Sequence, residues 1–113
     1  MSQVLTGQLL TGQGIIITGG TRGIGNAIAR ACLAEGAGVL ITGRSQESVD
    51  KALTEIEHPD LHGIVAQVAS EEDTVKVFEL ALQLFGKVDA VVNNAGIARA
   101  GAVQNLRVKD FQM

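Results

Sequence analysis

The apolar positions of this chain fall into short aliphatic runs separated by longer stretches of helical spacing. Ile15-Ile16-Ile17 is the first run, and an uninterrupted β-branched triplet predicts a strand buried on both faces. It leads directly into Gly19-Gly20-Thr21-Arg22-Gly23-Ile24-Gly25. Helical spacing then begins at once. Ile24, Ala27, Ile28, Ala31 and Cys32 predict a helix over about 23–35, closed by Gly36. Gly38-Val39-Leu40-Ile41-Thr42 is the second strand, ended by Gly43-Arg44. Ser45 is a natural cap for a helix over 46–57 that keeps Val49, Ala52, Leu53 and Ile56 on one face. His58-Pro59-Asp60 stops that helix, and Leu61 to Val68 reads as the third strand. Ser70 caps the next helix, with Glu71, Glu72 and Asp73 in a first turn whose dipole favours acids. This helix runs to Phe85 and Gly86 with two apolar faces: Val75, Phe78, Leu82 and Phe85 on one, Val77, Leu80, Ala81 and Leu84 on the other. Such a helix expects neighbours on more than one side. Val88 to Val92 is the fourth strand and ends in Asn93-Asn94-Ala95-Gly96. A flexible stretch from Ile97 to Val103 and a last helix from Asn105, carrying Leu106 and Phe111, complete the pattern.

Strands alternating with helices predict an α/β fold: a parallel sheet with helices on both faces. The strand order is 3-2-1-4 if the chain reverses direction between the third and fourth strands. The crevice at that switch point, between strands 1 and 4, is then the expected ligand site. At 113 residues the chain makes one domain at most, and no linker divides it. Residues 1–14 carry an echo, Leu5-Thr6-Gly7-Gln8 and Leu10-Thr11-Gly12-Gln13, too short in period for a solenoid and read as a lead-in to the first strand. Gly14, directly before that strand, weakens its start.

Composition removes several classes. Nine basic against twelve acidic residues give a net charge of −3, with no basic cluster to neutralise nucleic-acid phosphates. No apolar run approaches a membrane span, and the first residues show no basic segment followed by a long apolar one. With a single cysteine no internal disulfide is possible, and a cytoplasmic location is the expectation. The chain has no tyrosine and no tryptophan, so none of its residues can act as a phenolic acid or base.

The glycine spacing Gly19-x3-Gly23-x-Gly25 has two readings. A plain tight turn needs only the glycines. A phosphate cradle also needs a strand before, a helix immediately after and a second strand within about 30 residues, and all three are here. Glycines let backbone approach the anion, and the first helical N–H groups point at it. The other candidates favour structure over chemistry. His58 and His62 flank a proline turn with no ligand partners at metal spacing and read as solvated. Cys32 continues an apolar stripe, and Asp89, Asn93 and Asn94 order the end of the sheet. No metal site is expected.

Thr18-Gly19-Gly20-Thr21-Arg22-Gly23-Ile24-Gly25 resembles the Thr-Gly-x-x-x-Gly-x-Gly cofactor motif of the short-chain dehydrogenases/reductases. Asn93-Asn94-Ala95-Gly96 matches that family's Asn-Asn-Ala-Gly motif, and Gly86-Lys87-Val88-Asp89 before it fits as well. The resemblance covers essentially the whole chain and is closest to the acyl-carrier-protein and sugar- or steroid-type ketoreductases. It implies a Rossmann-like sheet, here cut off after the fourth strand. It implies that Gly19, Thr21, Arg22, Gly23, Ile24 and Gly25 line the pyrophosphate and ribose of a dinucleotide. Asn93, Ala95 and Gly96 would lie beside the adenine-side ribose and the path to the nicotinamide, and Val68 near the adenine. Gln67 stands where the family often has an aspartate for the adenine amino group. An acid ending the second strand would read NAD; here Gly43 and Arg44 occupy that region. Arg22 and Arg44 near a 2′-phosphate favour NADP over NAD.

The family's tyrosine, lysine, serine and relay asparagine come after the point where this chain ends, so no catalytic residue is assigned. The first reading is the NADP-binding portion of a carbonyl–alcohol oxidoreductase, inactive alone. The alternative is a non-catalytic module for oligomerisation or pairing with vestigial cofactor binding. An independently active enzyme using other residues ranks third. An open fourth strand and the second face of the 71–85 helix predict a homo-oligomer or a complementing C-terminal half as partner.

Overall fold

A computed structural model of the chain describes residues 9–67 and 69–94. Four strands, β1 (Gly14–Thr18), β2 (Gly38–Gly43), β3 (Leu61–Val65) and β4 (Ala90–Asn93), alternate with three helices, α1 (Gly23–Ala34), α2 (Gln46–Ile56) and α3 (Glu71–Phe85). The strands form one parallel sheet in the order β3-β2-β1-β4, as the strand–helix alternation and the reversal after β3 require.

Each strand divides its side chains between two layers, because successive residues point to opposite faces. Ile15, Ile17, Val39 and Ile41 pack with Ala29 and Leu33 of α1 and Ala52 of α2. Ile16 and Leu40 face the other way, against Val77, Phe78 and Ala81 of α3. Ile16, Ile17, Leu40 and Ile41 are fully buried, each contributing roughly 1.5–3 kcal/mol by removal from water. The β-branched triplet is thus the centre of both cores.

The helix ends follow their local chemistry. Ser45 Oγ accepts from Ser48 N at 3.2 Å, and Ser70 Oγ accepts from Asp73 N at 3.1 Å. The Asp73 carboxylate does not close a capping box on Ser70. It reaches further back and accepts from Gln67 N at 2.7 Å, tying down the turn after β3. That turn also explains why β3 ends at Val65 and not at Val68: Ala66 N makes a last bond to Gly43 O at 3.0 Å and the chain then bends toward α3. Val68 itself lies outside the described residues. α1 closes in a Schellman motif, with Ala37 N bonded to Cys32 O and Gly36 N to Leu33 O, both at 3.1 Å. α2 ends one residue before the proline turn, at Glu57, which takes a left-handed φ of 47°.

Two helix faces differ from the expected ones. α1 buries Gly25, Ala29 and Leu33, with Ile28 and Cys32 half-buried beside them, while Ile24, Ala27 and Ala31 face solvent. The stripe is rotated by about one residue, because its first member is a glycine and adds nothing to an apolar count. In α3 the buried line is Val77, Phe78 and Ala81, with Phe85 half-buried; it is the seam where the two expected faces meet. Val75 and Leu82 are left exposed on one shoulder, and Leu84 on the other.

Phe85 also accounts for two glycines. A side chain on Gly14 would stand 2.8 Å from Phe85 Cβ, and one on Gly38 would stand 2.6 Å from Phe85 Cε1. The ring covers both strand starts, so Gly14 makes room for it and anchors β1. Its N–H donates to Asp89 Oδ2 and its carbonyl accepts from Asp89 N, both at 2.8 Å. His62 belongs to β3, not to a loop, and meets the Phe85 ring edge-on at 5.9 Å between centroids. The second copy of the Leu-Thr-Gly-Gln echo docks on the end of α1 through Leu10 N to Glu35 O at 2.8 Å. The first copy, and the expected flexible stretch and last helix after Gly96, lie outside the described residues.

Candidate functional site

The carboxyl ends of β1, β2 and β3, the start of α1 and Asn94 just after β4 surround a cleft of about 840 Å³. A cleft of that size suits a ligand as large as a dinucleotide. It extends from the ends of β2 and β3 across the loop after β1 to Asn94, beside the switch point between β1 and β4.

The glycine loop forms its floor. Gly23 holds φ at 63°, and nothing stands within 4 Å of where its side chain would be. Its bare backbone therefore faces open space. Gly25 is glycine for the opposite reason. A side chain there would strike Gly19 O and come within 2.7 Å of Asn94 Nδ2, so α1 could not approach the sheet end. Arg22 is the residue preceding α1, extended at φ −157° and making no side-chain cap. The first turn of α1 also contains no acid. α2 and α3, by contrast, have serine caps and acids in their first turns. The free N–H groups at the start of α1 and its positive dipole end are left for an anion.

Side chains from outside the glycine motif hold the loop in place. Thr18 Oγ1 donates to Asn93 Oδ1 at 3.1 Å and accepts from Asn94 N at 3.0 Å, joining the ends of β1 and β4. Asn94 Nδ2 donates to Gly19 O at 3.3 Å. Asn26 Nδ2 donates to Thr21 O at 3.3 Å. Gly19 N donates to Thr42 Oγ1 at 3.1 Å.

Gly19, Thr21, Arg22, Gly23, Ile24, Arg44 and Gln67 all line the cleft. Ile24 is 71% exposed, an apolar side chain standing at the cleft mouth and not in the core. Gln67 Nε2 donates to Arg44 O at 3.4 Å, which spans the wall between β2 and β3 and leaves its carbonyl oxygen free as an acceptor. Gly25 does not line the cleft but sets its depth. Asn93 does not line it either: its carbonyl is taken by Thr18, and its Nδ2 is buried without a partner among the described residues. Asn94, read from sequence as an ordering residue, does both tasks, since it also faces the cleft. Ala95 and Gly96 lie outside the described residues.

Gly43 stands beside Arg44 in the wall, and Ser45 and Ser48, which were not read from sequence as site residues, complete it. Gly43 is confined. A side chain on it would stand 2.6 Å from Thr21 Cγ2, 2.9 Å from Val49 Cγ2 and 3.0 Å from Ser48 Oγ. Away from the cleft, burial pushes the Cys32 thiol up from its ordinary value, which keeps it protonated and unreactive. No cluster of potential metal ligands occurs among the described residues.

A glycine loop between the first strand and helix of a parallel sheet ordered β3-β2-β1-β4, with a cleft at the carboxyl end of the strands, defines a Rossmann-like α/β domain. The short chain dehydrogenase family profile matches residues 13–113, and the chain belongs to that family, whose oxidoreductases use NAD or NADP. It is similar to an NADP-dependent (R)-specific alcohol dehydrogenase of Lentilactobacillus kefiri, 41% identical over 91% of this chain and 41% of that protein. It is also similar to a 3alpha-hydroxysteroid dehydrogenase of Mediterraneibacter gnavus, 40% identical over 86% of this chain and 40% of that one. The crystal structure of a short chain dehydrogenase from Mycobacterium smegmatis superposes with a TM-score of 0.73 at 28% identity, covering 80% of this chain and 39% of the other. The chain thus spans about two fifths of the length of these relatives.

Proposed function

We propose that this chain is the NADP(H)-binding portion of a carbonyl–alcohol oxidoreductase. The observation that carries the reading is the wall formed by Gly43, Arg44 and Arg22. An acidic side chain at position 43, which would read the ribose hydroxyls of NAD, has no room against Thr21, Val49 and Ser48. Arg22 and Arg44 line the same cleft, where a 2′-phosphate would accept charge-assisted bonds from their guanidinium groups. The NADP dependence of the Lentilactobacillus relative supports the same choice.

In this reading the N–H groups at the start of α1 hold the pyrophosphate, and Gly23 keeps the backbone bare so that it can approach. Gln67 offers its carbonyl oxygen to the adenine amino group. Asn94 and Thr18 hold the wall that leads toward the nicotinamide. When bound, the cofactor supplies a hydride to, or accepts one from, the carbon of a carbonyl or alcohol. The proton on the oxygen needs an acid–base group that these residues do not include, since the family's tyrosine has no counterpart in a chain without tyrosine. Loss of that step alone slows turnover by roughly 10²–10⁴-fold. The chain by itself therefore binds cofactor without turning over a ketone.

The test is the Arg44→Ala variant, assayed for both cofactors. It should weaken NADPH binding on the order of tenfold and leave NADH binding nearly unchanged, because only the 2′-phosphate contact is lost. Equal weakening of both would sink the 2′-phosphate assignment.

A further inference from the structure

The first two N–H groups of the glycine loop both end on one residue of the neighbouring strand. Gly19 N donates to the hydroxyl of Thr42, and Gly20 N donates to its carbonyl, each at 3.1 Å. Thr42 is 2% exposed and is the one buried polar side chain among the described residues. β1 and β2 stay in register as far as Ile17 and Ile41. Beyond that pair β1 peels away, Gly19 turns to a φ of 67°, and its N–H loses the acceptor a continuing strand would give it. The Thr42 hydroxyl replaces that acceptor. On its other side the same stretch is held by Asn94 Nδ2, which donates to Gly19 O at 3.3 Å. The next residue, Gly20, lies flat on β2, since a side chain there would stand 2.5 Å from Ile41 Cγ2.

We propose that Thr42 is a positioning residue for the phosphate-binding loop. Its hydroxyl fixes the orientation of the peptide at Gly19, and through it the direction of the N–H groups at the start of α1. The inference rests on the cofactor reading above. Without the hydroxyl, the Gly19 N–H is left part-buried with no acceptor, which is costly. The peptide must rotate to find one, and the rotation pulls Gly19 O away from Asn94 and shifts the loop. A phosphate is held by N–H groups that already point at it, so misdirection is lost affinity.

The experiment titrates NADPH into wild type, Thr42→Ser, Thr42→Val and Thr42→Ala, with thermal unfolding followed on the same samples. Thr42→Ser keeps the hydroxyl and loses a buried methyl; Thr42→Val keeps the shape and loses the acceptor. The expected result is Thr42→Ser within about threefold of wild-type affinity despite a lower unfolding midpoint. Thr42→Val and Thr42→Ala should bind on the order of tenfold more weakly at a temperature where they are folded. Faster amide exchange at Gly19 in Thr42→Val and Thr42→Ala, but not in Thr42→Ser, reads the same bond without cofactor. Affinity that follows the unfolding midpoint across the three variants would overturn the role, as would loss of affinity in Thr42→Ser equal to that in Thr42→Ala. Wild-type binding with unchanged affinity in Thr42→Val overturns the role of Thr42 alone. A wild-type chain that binds no NADPH overturns the cofactor reading and, with it, this one.

Discussion

Glu57 shows how a single residue can sit against its own backbone preference. It ends α2 in the left-handed region at φ 47°, with its N–H bonded to Leu53 O at 2.9 Å. A side chain in that region costs about 1 kcal/mol or more, and glycine does not share the cost. Glu57→Gly is therefore expected to stabilise the chain by about 1 kcal/mol, read as a higher denaturant midpoint with unchanged slope. An unchanged or lower midpoint would mean that the Glu57 side chain makes a compensating contact. The glycines of the loop were legible one by one, because their spacing is a pattern. Thr42 was not. It is an ordinary residue at the end of an apolar run, and its importance appears only when Gly19 N is brought against it. Gly43 was legible as the place of a missing acid, but its confinement by Thr21, Val49 and Ser48 was not. The same holds for Asn94, whose bond to Gly19 O joins residues 75 apart in the chain.

At the scale of elements, the strands, the caps and the inner face of α2 were written in the sequence, and the faces of α1 and α3 were not. The apolar runs at Ile15, Val39 and Val91 all became strands, and Ser45 and Ser70 both cap as their side chains dictate. The error in α1 arose because periodicity counts apolar side chains, and the close contact with the sheet is made by the smallest residues, Gly25 and Ala29. In α3 the apolar arc is wider than the sheet it covers, so sequence alone could not say which part of it is buried. Packing against Ile16 and Leu40 selects the Val77, Phe78, Ala81 seam. β3 ends early because a side chain six residues away, Asp73, claims Gln67 N.

For the whole molecule, the order β3-β2-β1-β4 leaves β3 and β4 as the edges of the described sheet. Val75 and Leu82 also stand exposed on one shoulder of α3, at 45% and 51%. Open strand edges and exposed apolar groups both favour association. The isolated 11.8 kDa chain is expected to self-associate at tens of micromolar, and Leu82→Glu to lower its weight-average mass in sedimentation. A monomer throughout that range would count against the expectation. No helix among the described residues is long and apolar enough to cross a membrane. Order of strands and family were legible from two motifs and one alternation; the spread of the cleft over the ends of β2 and β3 was not. The cofactor's phosphate was legible only as two arginines, and it took the crowding around Gly43 to give the charge argument a steric partner.

Calorimetric titration of the chain with NADPH and NADH tests the central claim most directly. Saturable NADPH binding, with NADH at least about tenfold weaker, is the predicted result. Binding of neither nucleotide at concentrations on the order of millimolar, or tighter binding of NADH, would contradict it.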